Sequence, residues 1–535
     1  AASDVYKRQL SSSSCTYATS SLAVGSHAFT AVYLGDAGHA GSTSASLDQV
    51  VEKVATTTSV AASANPAVYG AAVVYTVTVE STTGVPAGTV TVSDGTTSLG
   101  SCTLNGSGSC TVSTSSLAVG PHSIVARYLG DTNHVASDSS ALSQTIDEAP
   151  TTVTITSNRN PSVYGQSVTL TATVTSATGT PTGTVTLSSD LGGWSAPCTL
   201  VGGSCSVSTG TLVVGSHAIA ASYAGDGSFA ANTASPLAQT VNLAPTTTTV
   251  VSGGSPSTFG DTVTFSVRVD ATTGLPTGTA TLFDGATSLG TCDLVASTAT
   301  RAVCDYTTST LSAASHTITA RYDGDVRFAT STSAGITQVV RAIATTSIVS
   351  SANPALFAGA ITYTVTVTSD GATPTGTVSI RDDGTQIGTC SLSSGSCTFA
   401  TSALTVGNHP ITASYPGDAA NTADASDVLD QSIVQNTTTT AVVSVTGSTA
   451  YGQSVTFRAT VSSSTGVPTG TVTFYDGATA LSPTCSLTSG GSCTIATAGL
   501  TVGDHEITAV YGGSAGYVGS TSAAITQTVS RASTT

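Results

Sequence analysis

A histidine, a tyrosine and a Gly-Asp pair recur at fixed distances along this chain of 535 residues. Residues 26–36 read SHAFTAVYLGD and residues 121–131 read PHSIVARYLGD. A histidine can remove a proton from a reacting group, and a carboxylate can orient that histidine or ligate a cation. The pattern therefore raises the question of a catalytic or a metal site, and its answer depends on the elements that carry these residues.

The histidines of the pattern set the period of the chain, because they are separated by 95, 95, 99, 93 and 96 residues. They are His27, His122, His217, His316, His409 and His505. This period exceeds that of the common solenoid repeats and fits an independent small domain. The sequence predicts complete repeats at 54–148, 149–243, 244–342, 343–435 and 436–530.

Shorter segments flank the complete repeats. Residues 1–53 correspond to the C-terminal half of an earlier repeat, and residues 531–535 correspond to the start of a further one. Residues 1–9 do not match the repeat at their position, which leaves open a non-native start.

Within a repeat, hydrophobic residues alternate with polar ones. The segment SVTLTATVTS at 167–176 places Val168, Leu170, Ala172 and Val174 on one face and serine or threonine on the other. A period of two indicates half-buried strands, and Asp-Gly and Gly-Asp turn signals separate them. About seven short strands in such a repeat predict a two-sheet β-sandwich, so the fold class is all-β.

Strand geometry separates the recurring histidine from the recurring aspartate. A strand rises ~3.3 Å per residue, so His122 and Tyr128 lie roughly 20 Å apart and Asp131 lies beyond them. Because a proton-transfer pair needs contact, we expect structural roles instead. The His122 ring binds the turn before its strand, Tyr128 is buried with a solvated hydroxyl, and Asp131 caps a turn. The equivalent residues of the next repeat are His217, Tyr223 and Asp226.

Calcium at the joints between repeats is the metal alternative for these aspartates. It needs six or more oxygen ligands, usually with several carboxylates. Asp147 and Glu148 lie at one joint, whereas the equivalent VNLAP segment at 241–245 has no acidic residue. We therefore expect no recurring metal site, and calcium at an isolated joint stays open.

Ten of the 11 cysteines form one close pair in each complete repeat, and Cys15 is alone. Turn-like segments separate the two members, so we expect each pair to face across a β-hairpin as a disulfide. Zinc is the alternative, but it needs four ligands and a repeat offers two cysteines and one distant histidine. Disulfides imply an oxidising, extracellular setting. The pairs are Cys102/Cys110, Cys198/Cys205, Cys292/Cys304, Cys390/Cys397 and Cys485/Cys493.

The charge balance excludes two partner classes. The chain has 13 basic and 29 acidic residues and a formal net charge of −16. Nucleic acids and anionic membrane surfaces need basic patches, so neither is an expected partner. No apolar run approaches the ~20 residues of a membrane span, so we expect no membrane insertion of this segment.

The recurring motif P-T-G-T-V-x-F-x-D-G … L-x-V-G-x-H-x-I-T-A-x-Y-x-G-D … L-x-Q-T-V resembles the bacterial Ig-like repeat domains of large secreted and surface proteins. The resemblance covers nearly the whole chain. It departs at LSAASH (311–316), where a glycine is lost, and at YGGS (511–514), where the aspartate is lost. It implies Ig-like sandwiches that serve as spacers, stalks or adhesin modules.

We therefore expect an extracellular or cell-surface structural protein without catalytic residues or cofactors. The tandem domains would form an elongated rod, stalk or filament subunit, with self-association into a fibre or continuation of the same chain. Two alternatives stay open. The chain could be an adhesin that binds a glycan or a surface protein, or a spacer of a large secreted enzyme.

Overall fold

The computed structural model describes residues 7–533, and these residues form strands and turns with no helix. The predicted all-β class is confirmed. The non-matching start at 1–9 and the segment 531–535 lie partly outside the described residues. The described residues fall into two compact units, one that ends at residue 245 and includes 326–328, and one formed by 246–325 and the residues that follow 328. No helix among residues 7–533 has the length and apolarity needed to cross a membrane.

The partial repeat contains two small strand pairs, in which β1 is antiparallel to β4 and β2 is antiparallel to β3. These strands are largely exposed. Their bounds are β1 (Gly25–Phe29), β2 (Val32–Tyr33), β3 (Ser42–Thr43) and β4 (Leu47–Val51).

The first complete repeat is a sandwich of two sheets. One sheet has the order β10-β7-β5, and the other has the order β6-β13-β11-β8-β9 with β12 on β11. All pairs are antiparallel except β6 with β13. The strands are β5 (Thr56–Ala62), β6 (Ala67–Val68), β7 (Val73–Ser81), β8 (Thr89–Asp94), β9 (Thr97–Thr103), β10 (Ser109–Thr114), β11 (Gly120–Tyr128), β12 (Ser137–Asp138) and β13 (Leu142–Asp147).

The other four repeats have the same topology, and the third adds an edge strand, β28, to its smaller sheet. The second repeat has β14 (Thr152–Ser157), β15 (Ser162–Val163), β16 (Val168–Thr175), β17 (Thr184–Ser189), β18 (Ser195–Thr199), β19 (Ser204–Thr209), β20 (Gly215–Tyr223), β21 (Asn232–Thr233) and β22 (Leu237–Asn242). The third has β23 (Thr246–Ser252), β24 (Ser257–Thr258), β25 (Val263–Ala271), β26 (Thr279–Asp284), β27 (Thr287–Asp293), β28 (Val295–Thr298), β29 (Arg301–Thr308), β30 (Ser315–Tyr322), β31 (Ser331–Thr332) and β32 (Ile336–Arg341).

The fourth and fifth repeats complete the chain. The fourth has β33 (Ala344–Ser350), β34 (Ala355–Leu356), β35 (Ile361–Ser369), β36 (Thr377–Asp382), β37 (Thr385–Ser391), β38 (Ser396–Thr401), β39 (Gly407–Tyr415), β40 (Asp424–Ala425) and β41 (Leu429–Val434). The fifth has β42 (Thr438–Ser444), β43 (Thr449–Ala450), β44 (Val455–Ser463), β45 (Thr471–Asp476), β46 (Thr479–Ser486), β47 (Ser492–Thr497), β48 (Gly503–Tyr511), β49 (Ser520–Thr521) and β50 (Ile525–Ser530).

Alternation along the strands builds the core of each repeat. On β16, Val168, Leu170, Ala172 and Val174 are buried between the sheets, while the threonines between them face outward. A strand exposes successive side chains to opposite faces, so one such strand supplies one row of the core.

The central strand β11 positions the candidate site of the first repeat. It pairs with β8 on one side and β13 on the other. This register places His122 opposite Gln144, and Ile124 opposite Asp94. The start of β11 therefore meets the end of β8 and the middle of β13.

Candidate functional site

Disulfides join the ten paired cysteines, with Cα–Cα distances of 5.7–5.8 Å. The expectation that each pair spans one hairpin is wrong. Cys102 lies on β9 of the larger sheet and Cys110 on β10 of the smaller one. The short connection crosses from one sheet to the other, so the disulfide ties the two layers of the sandwich together at one edge. Cys15 is free and exposed.

The same correction applies to the other four disulfides. In every repeat the first cysteine lies on the larger sheet and the second lies on the smaller one, where it is buried against the core. A hairpin pairs two neighbouring strands of one sheet, and these pairs instead bridge two facing sheets. The bridges run from Cys198 on β18 to Cys205 on β19, from Cys292 on β27 to Cys304 on β29, from Cys390 on β37 to Cys397 on β38, and from Cys485 on β46 to Cys493 on β47.

The His122 ring is held between two acceptors at the start of β11. Its Nδ1 lies 2.7 Å from Oδ2 of Asp94, and its Nε2 lies 2.7 Å from the carbonyl oxygen of Ala118. Asp94 also accepts a hydrogen bond from the Ser123 amide. A carboxylate and a carbonyl only accept, so the charged imidazolium alone can donate to both.

The hydrogen-bond partners of the ring raise the pKa of His122. Burial acts in the opposite direction, but the hydrogen bond to the Ala118 carbonyl and the Asp94 carboxylate outweigh it. The cluster joins the end of β8, the turn before β11 and β11 itself. Both ring nitrogens are in use, so the ring has no free lone pair with which to accept a proton from a substrate.

Three further repeats contain the same cluster. His316, His409 and His505 each meet an aspartate through Nδ1 and the carbonyl four residues earlier through Nε2. For His409, burial is outweighed by the Thr405 carbonyl and Asp382, and the pKa is raised. For His505, the Thr501 carbonyl is the main cause of a raised pKa. The aspartates are Asp284, Asp382 and Asp476.

The second repeat replaces the carboxylate with a hydroxyl. Nδ1 of His217 lies 2.7 Å from Oγ of Ser189, and Nε2 lies 2.8 Å from the Val213 carbonyl oxygen. Ser189 occupies the register position of Asp94, since it pairs with Ile219 as Asp94 pairs with Ile124. Asp190 instead accepts a hydrogen bond from the Ala218 amide.

Tyr128 and Asp131 form a separate cluster at the other end of β11. The Tyr128 hydroxyl donates to the Ala87 carbonyl at 2.8 Å, so it is hydrogen-bonded to the protein and not only to solvent as the sequence suggested. Asp131 accepts from the amides of Ala87, Asn133 and His134. Burial and then Asp131 raise the pKa of Tyr128 to about 12. Burial opposes ionisation of Asp131, but the amide donors lower its pKa well below the ordinary range.

The second repeat has the equivalent corner. Tyr223 donates to the Thr182 carbonyl, and Asp226 accepts from the amide and the hydroxyl of Thr182. Burial and then Asp226 raise the pKa of Tyr223 to about 12. Burial opposes ionisation of Asp226, but its hydrogen bonds to Thr182 and to the amides of Ser228 and Phe229 lower its pKa. These clusters hold turns in place, and neither brings a recurring histidine to the recurring aspartate of its own motif.

A buried glutamine was missed by the sequence reasoning. Gln144 is fully buried opposite His122, and its Nε2 donates to the carbonyls of Ala64 and Thr145. It ties the last strand to the loop before β6. The signal was the Gln of the L-x-Q-T-V motif, which each complete repeat carries at a buried position. The others are Gln239, Gln338, Gln431 and Gln527.

The part of the chain that the structure describes has no group of three His, Cys, Asp or Glu side chains placed to hold one metal ion. The chemistry-bearing residues lie in small clusters that hydrogen-bond within their own repeat. What the arrangement does chemically is fix turns and strand ends.

Comparison with known proteins gives a family and a fold. The family model of the bacterial Ig-like domain (group 3) matches residues 60–147, 155–242, 249–341, 348–434 and 439–530. No curated protein sequence matches the chain.

Two solved structures are similar to parts of the chain. The fibronectin(III)-like modules of Clostridium thermocellum CbhA share 18% identity, with a TM-score of 0.21, 35% of this chain covered and 92% of that chain. The Escherichia coli adhesin FdeC shares 17% identity, with a TM-score of 0.22, 53% of this chain covered and 96% of that chain. On the strength of its five family matches, the chain belongs to the bacterial Ig-like domain (group 3) family.

Proposed function

We propose that this chain is an extracellular structural protein, a rod, stalk or filament subunit whose repeats act as spacers. One observation carries the proposal. In each complete repeat, the histidine cluster and the disulfide bind groups of that same repeat. Side chains with catalytic potential are thus used to stabilise a unit, and the unit is repeated.

The disulfides support the location outside the cell. Ten cysteines are paired, and disulfides persist in oxidising compartments. A link between the layers of a small sandwich also offsets the limited core of a domain this size.

The joints support the rod. They are short, as in EAPTT at 148–152, and contain proline and β-branched residues, which favours a semi-rigid connection. With strands of this length plus turns, each repeat would add roughly 35–45 Å to the rod. The partner we propose is the next repeat or another copy of the chain.

Small-angle X-ray scattering of the full chain tests the rod. We expect a radius of gyration above about 50 Å for consecutive repeats of that length. A compact globule of the same number of residues would give about 24 Å. A value near the compact limit would refute the rod, and a dimension that grows with concentration would support filament formation.

Location and ligand are tested separately. Thiol labelling of the chain taken from intact cells, with and without reductant, should reveal the ten paired cysteines only after reduction. Protease added to intact cells should cleave the chain. Labelling of any cysteine other than the free Cys15 without reductant, or protection from protease, would refute the extracellular proposal. A specific signal on a glycan array would favour the adhesin alternative over a spacer.

A further inference from the structure

The joint between the fourth and fifth repeats is closed by two aromatic rings. Phe357 follows β34 and packs against the hydrophobic cores of both repeats. Its ring meets that of Tyr517 edge to face, with ring centroids 5.6 Å apart and an interplanar angle of 86°. The tail ring is the aromatic residue directly after the short second strand of a complete repeat, as Phe357 follows β34. The head position is the position in the next repeat that Tyr517 occupies at this joint.

Glycines make this approach feasible. Gly516 lies under the Phe357 ring and Gly466 lies under the Tyr517 hydroxyl, and a Cβ at either glycine would overlap with the aromatic side chain. Asn436, which is fully buried in the linker, donates to the Phe357 carbonyl at 2.6 Å. The two rings, the glycines and the linker residue Asn436 thus pack together at this joint.

The joint between the first and second repeats has the same construction. The tail ring Tyr69 packs against the cores of both repeats and meets Phe229 edge to face at 5.6 Å and 79°. A Cβ at Gly179 would lie 2.9 Å from the Phe229 ring.

The joint between the third and fourth repeats has the same backbone but lacks this ring pair. The linker residue Ala342 forms an isolated parallel β-bridge with Asn421. Ala149 forms the same bridge with Phe229, and Asn436 forms it with Tyr517. Asn421 therefore occupies the head position. Its amide is turned into its own repeat, where it donates to Asp418 and accepts from Ser369.

Two further differences accompany Asn421. The tail ring Phe259 is 50% exposed, whereas Tyr69 and Phe357 are partly buried. Ala372 is equivalent to Gly179 and Gly466, because each of the three lies two residues before a proline of the repeated motif. At the other two joints this position is a glycine beneath an aromatic side chain. Small residues approach each other at this joint, since a Cβ added at Gly371 would lie 2.6 Å from the Cβ of Ala342 and 3.5 Å from that of Ala313.

We propose that the ring contact is a latch that stiffens a joint, and that the unlatched joint between the third and fourth repeats is a bending point built into the chain. Interfaces between domains of one chain allow relative motion by default unless they are large and apolar. The rings supply apolar area and a preferred angle at the latched joints, and small residues supply neither.

Distance distributions in the full chain test this inference. Spin labels on non-natural amino acids at the exposed, equivalent positions 287, 385 and 479 report on the two joints of the second unit. In the wild type, we expect the 287–385 distribution to be at least about twice as wide as the 385–479 distribution, because an unlatched interface permits domain motion. Equal widths would overturn the proposal.

Matched variants sharpen the test. Asn421→Phe with Ala372→Gly should narrow the 287–385 distribution, and Phe357→Ala should broaden the 385–479 distribution without changing the other. Phe259→Ala is the control, because an exposed ring that latches nothing should leave both widths unchanged. If Asn421→Phe disrupts the fourth repeat, the wild-type widths and Phe357→Ala still decide. Failure of Phe357→Ala to broaden its joint would refute the latch, whereas the rod proposal is judged by scattering alone.

Discussion

The first and second repeats hold the same histidine ring against the same kind of turn carbonyl but give it different partners. In the first repeat, Nδ1 of His122 faces a carboxylate, and in the second, Nδ1 of His217 faces the hydroxyl of Ser189. A carboxylate only accepts a hydrogen bond, whereas a hydroxyl both donates and accepts. The two hydrogen bonds of the His122 ring therefore require the charged form, whereas the geometry around His217 lets a neutral ring make both of its bonds as well.

The difference shows which part of the cluster the fold requires. The bond from Nε2 to the carbonyl four residues earlier is present in both repeats. It fixes the turn that leads into the central strand. The partner of Nδ1 varies, from a carboxylate in four of the complete repeats to a hydroxyl in the second.

The largest predicted loss of stability comes from removing a disulfide, and it should be equal in the first and second repeats. Replacing Cys102 and Cys110, or Cys198 and Cys205, by serine removes a link across eight or seven residues. The chain-entropy treatment gives a loss of about 2.5 kcal/mol in the free energy of unfolding. Amide hydrogen exchange along β11 and β20 of the full chain measures it repeat by repeat. A much larger loss in one repeat would show that the two sandwiches do not depend equally on their disulfides, so that their histidine clusters could not be compared directly.

Removing the partner of Nδ1 should lower the stability of the first repeat more than that of the second. Asp94→Ala leaves the His122 imidazolium and the Ser123 amide without an acceptor, which should cost about 2 kcal/mol at pH 6. Ser189→Ala removes hydrogen bonds that involve no carboxylate, to His217 and to the backbone of the exposed Leu191, where water can replace the hydroxyl. It should therefore cost only about 1 kcal/mol. Exchange of the amides of β11 and β20 at pH 6 is the measurement. Equal losses in the two variants would contradict the assignment of charge to His122.

Raising the pH should weaken the first, fourth and fifth repeats. The pKa values of His122, His409 and His505 are raised in the folded state. The stabilisation from the charged ring is therefore present below the unfolded value near 6.5 and is lost as the pH rises through the folded pKa. The loss should be smaller than that of Asp94→Ala, because the neutral ring keeps one of its two bonds.

The second repeat is the internal control for this pH dependence. Exchange rates of β11, β39, β48 and β20 between pH 6 and 9, each corrected for the intrinsic pH dependence of exchange, give the comparison in one sample. Tyr75 also lies near the first cluster, but burial and then Asp94 raise its pKa to about 12, so it keeps its proton over this range. A parallel decline in β20 would refute the role of the aspartate.

The sequence was sufficient for the fold because its signals are local. Alternation along segments such as 167–176 predicts strands, and recurrence of the whole pattern predicts sandwich repeats. The contact of His122 with the turn before its strand also follows from position alone, since the ring and the Ala118 carbonyl are four residues apart.

Non-local contacts were beyond the same reasoning. Asp94 precedes His122 by 28 residues, and only the pairing of β8 with β11 brings them together. Its Asp-Gly motif indicated a turn but not a partner. Cysteine spacing predicted the disulfide partners, but spacing alone does not tell whether a connection stays within one sheet or crosses to the other. The Tyr69 and Phe229 rings meet across a joint that no period of the sequence encodes.

The smallest effect should come from giving the second repeat the partner of the first. Ser189→Asp places a carboxylate at Nδ1 of His217, so the amides of β20 should acquire the loss of protection at high pH that β11 shows. The net gain in stability at pH 6 should be small, because repulsion between the new carboxylate and Asp190 offsets much of the attraction to the ring. Ser189→Asn is the control of similar size without charge, and it should leave the pH dependence of β20 flat. If Ser189→Asp and Ser189→Asn respond alike, the partner's charge is not what links these repeats to pH, and the difference must reside in the strands around the ring.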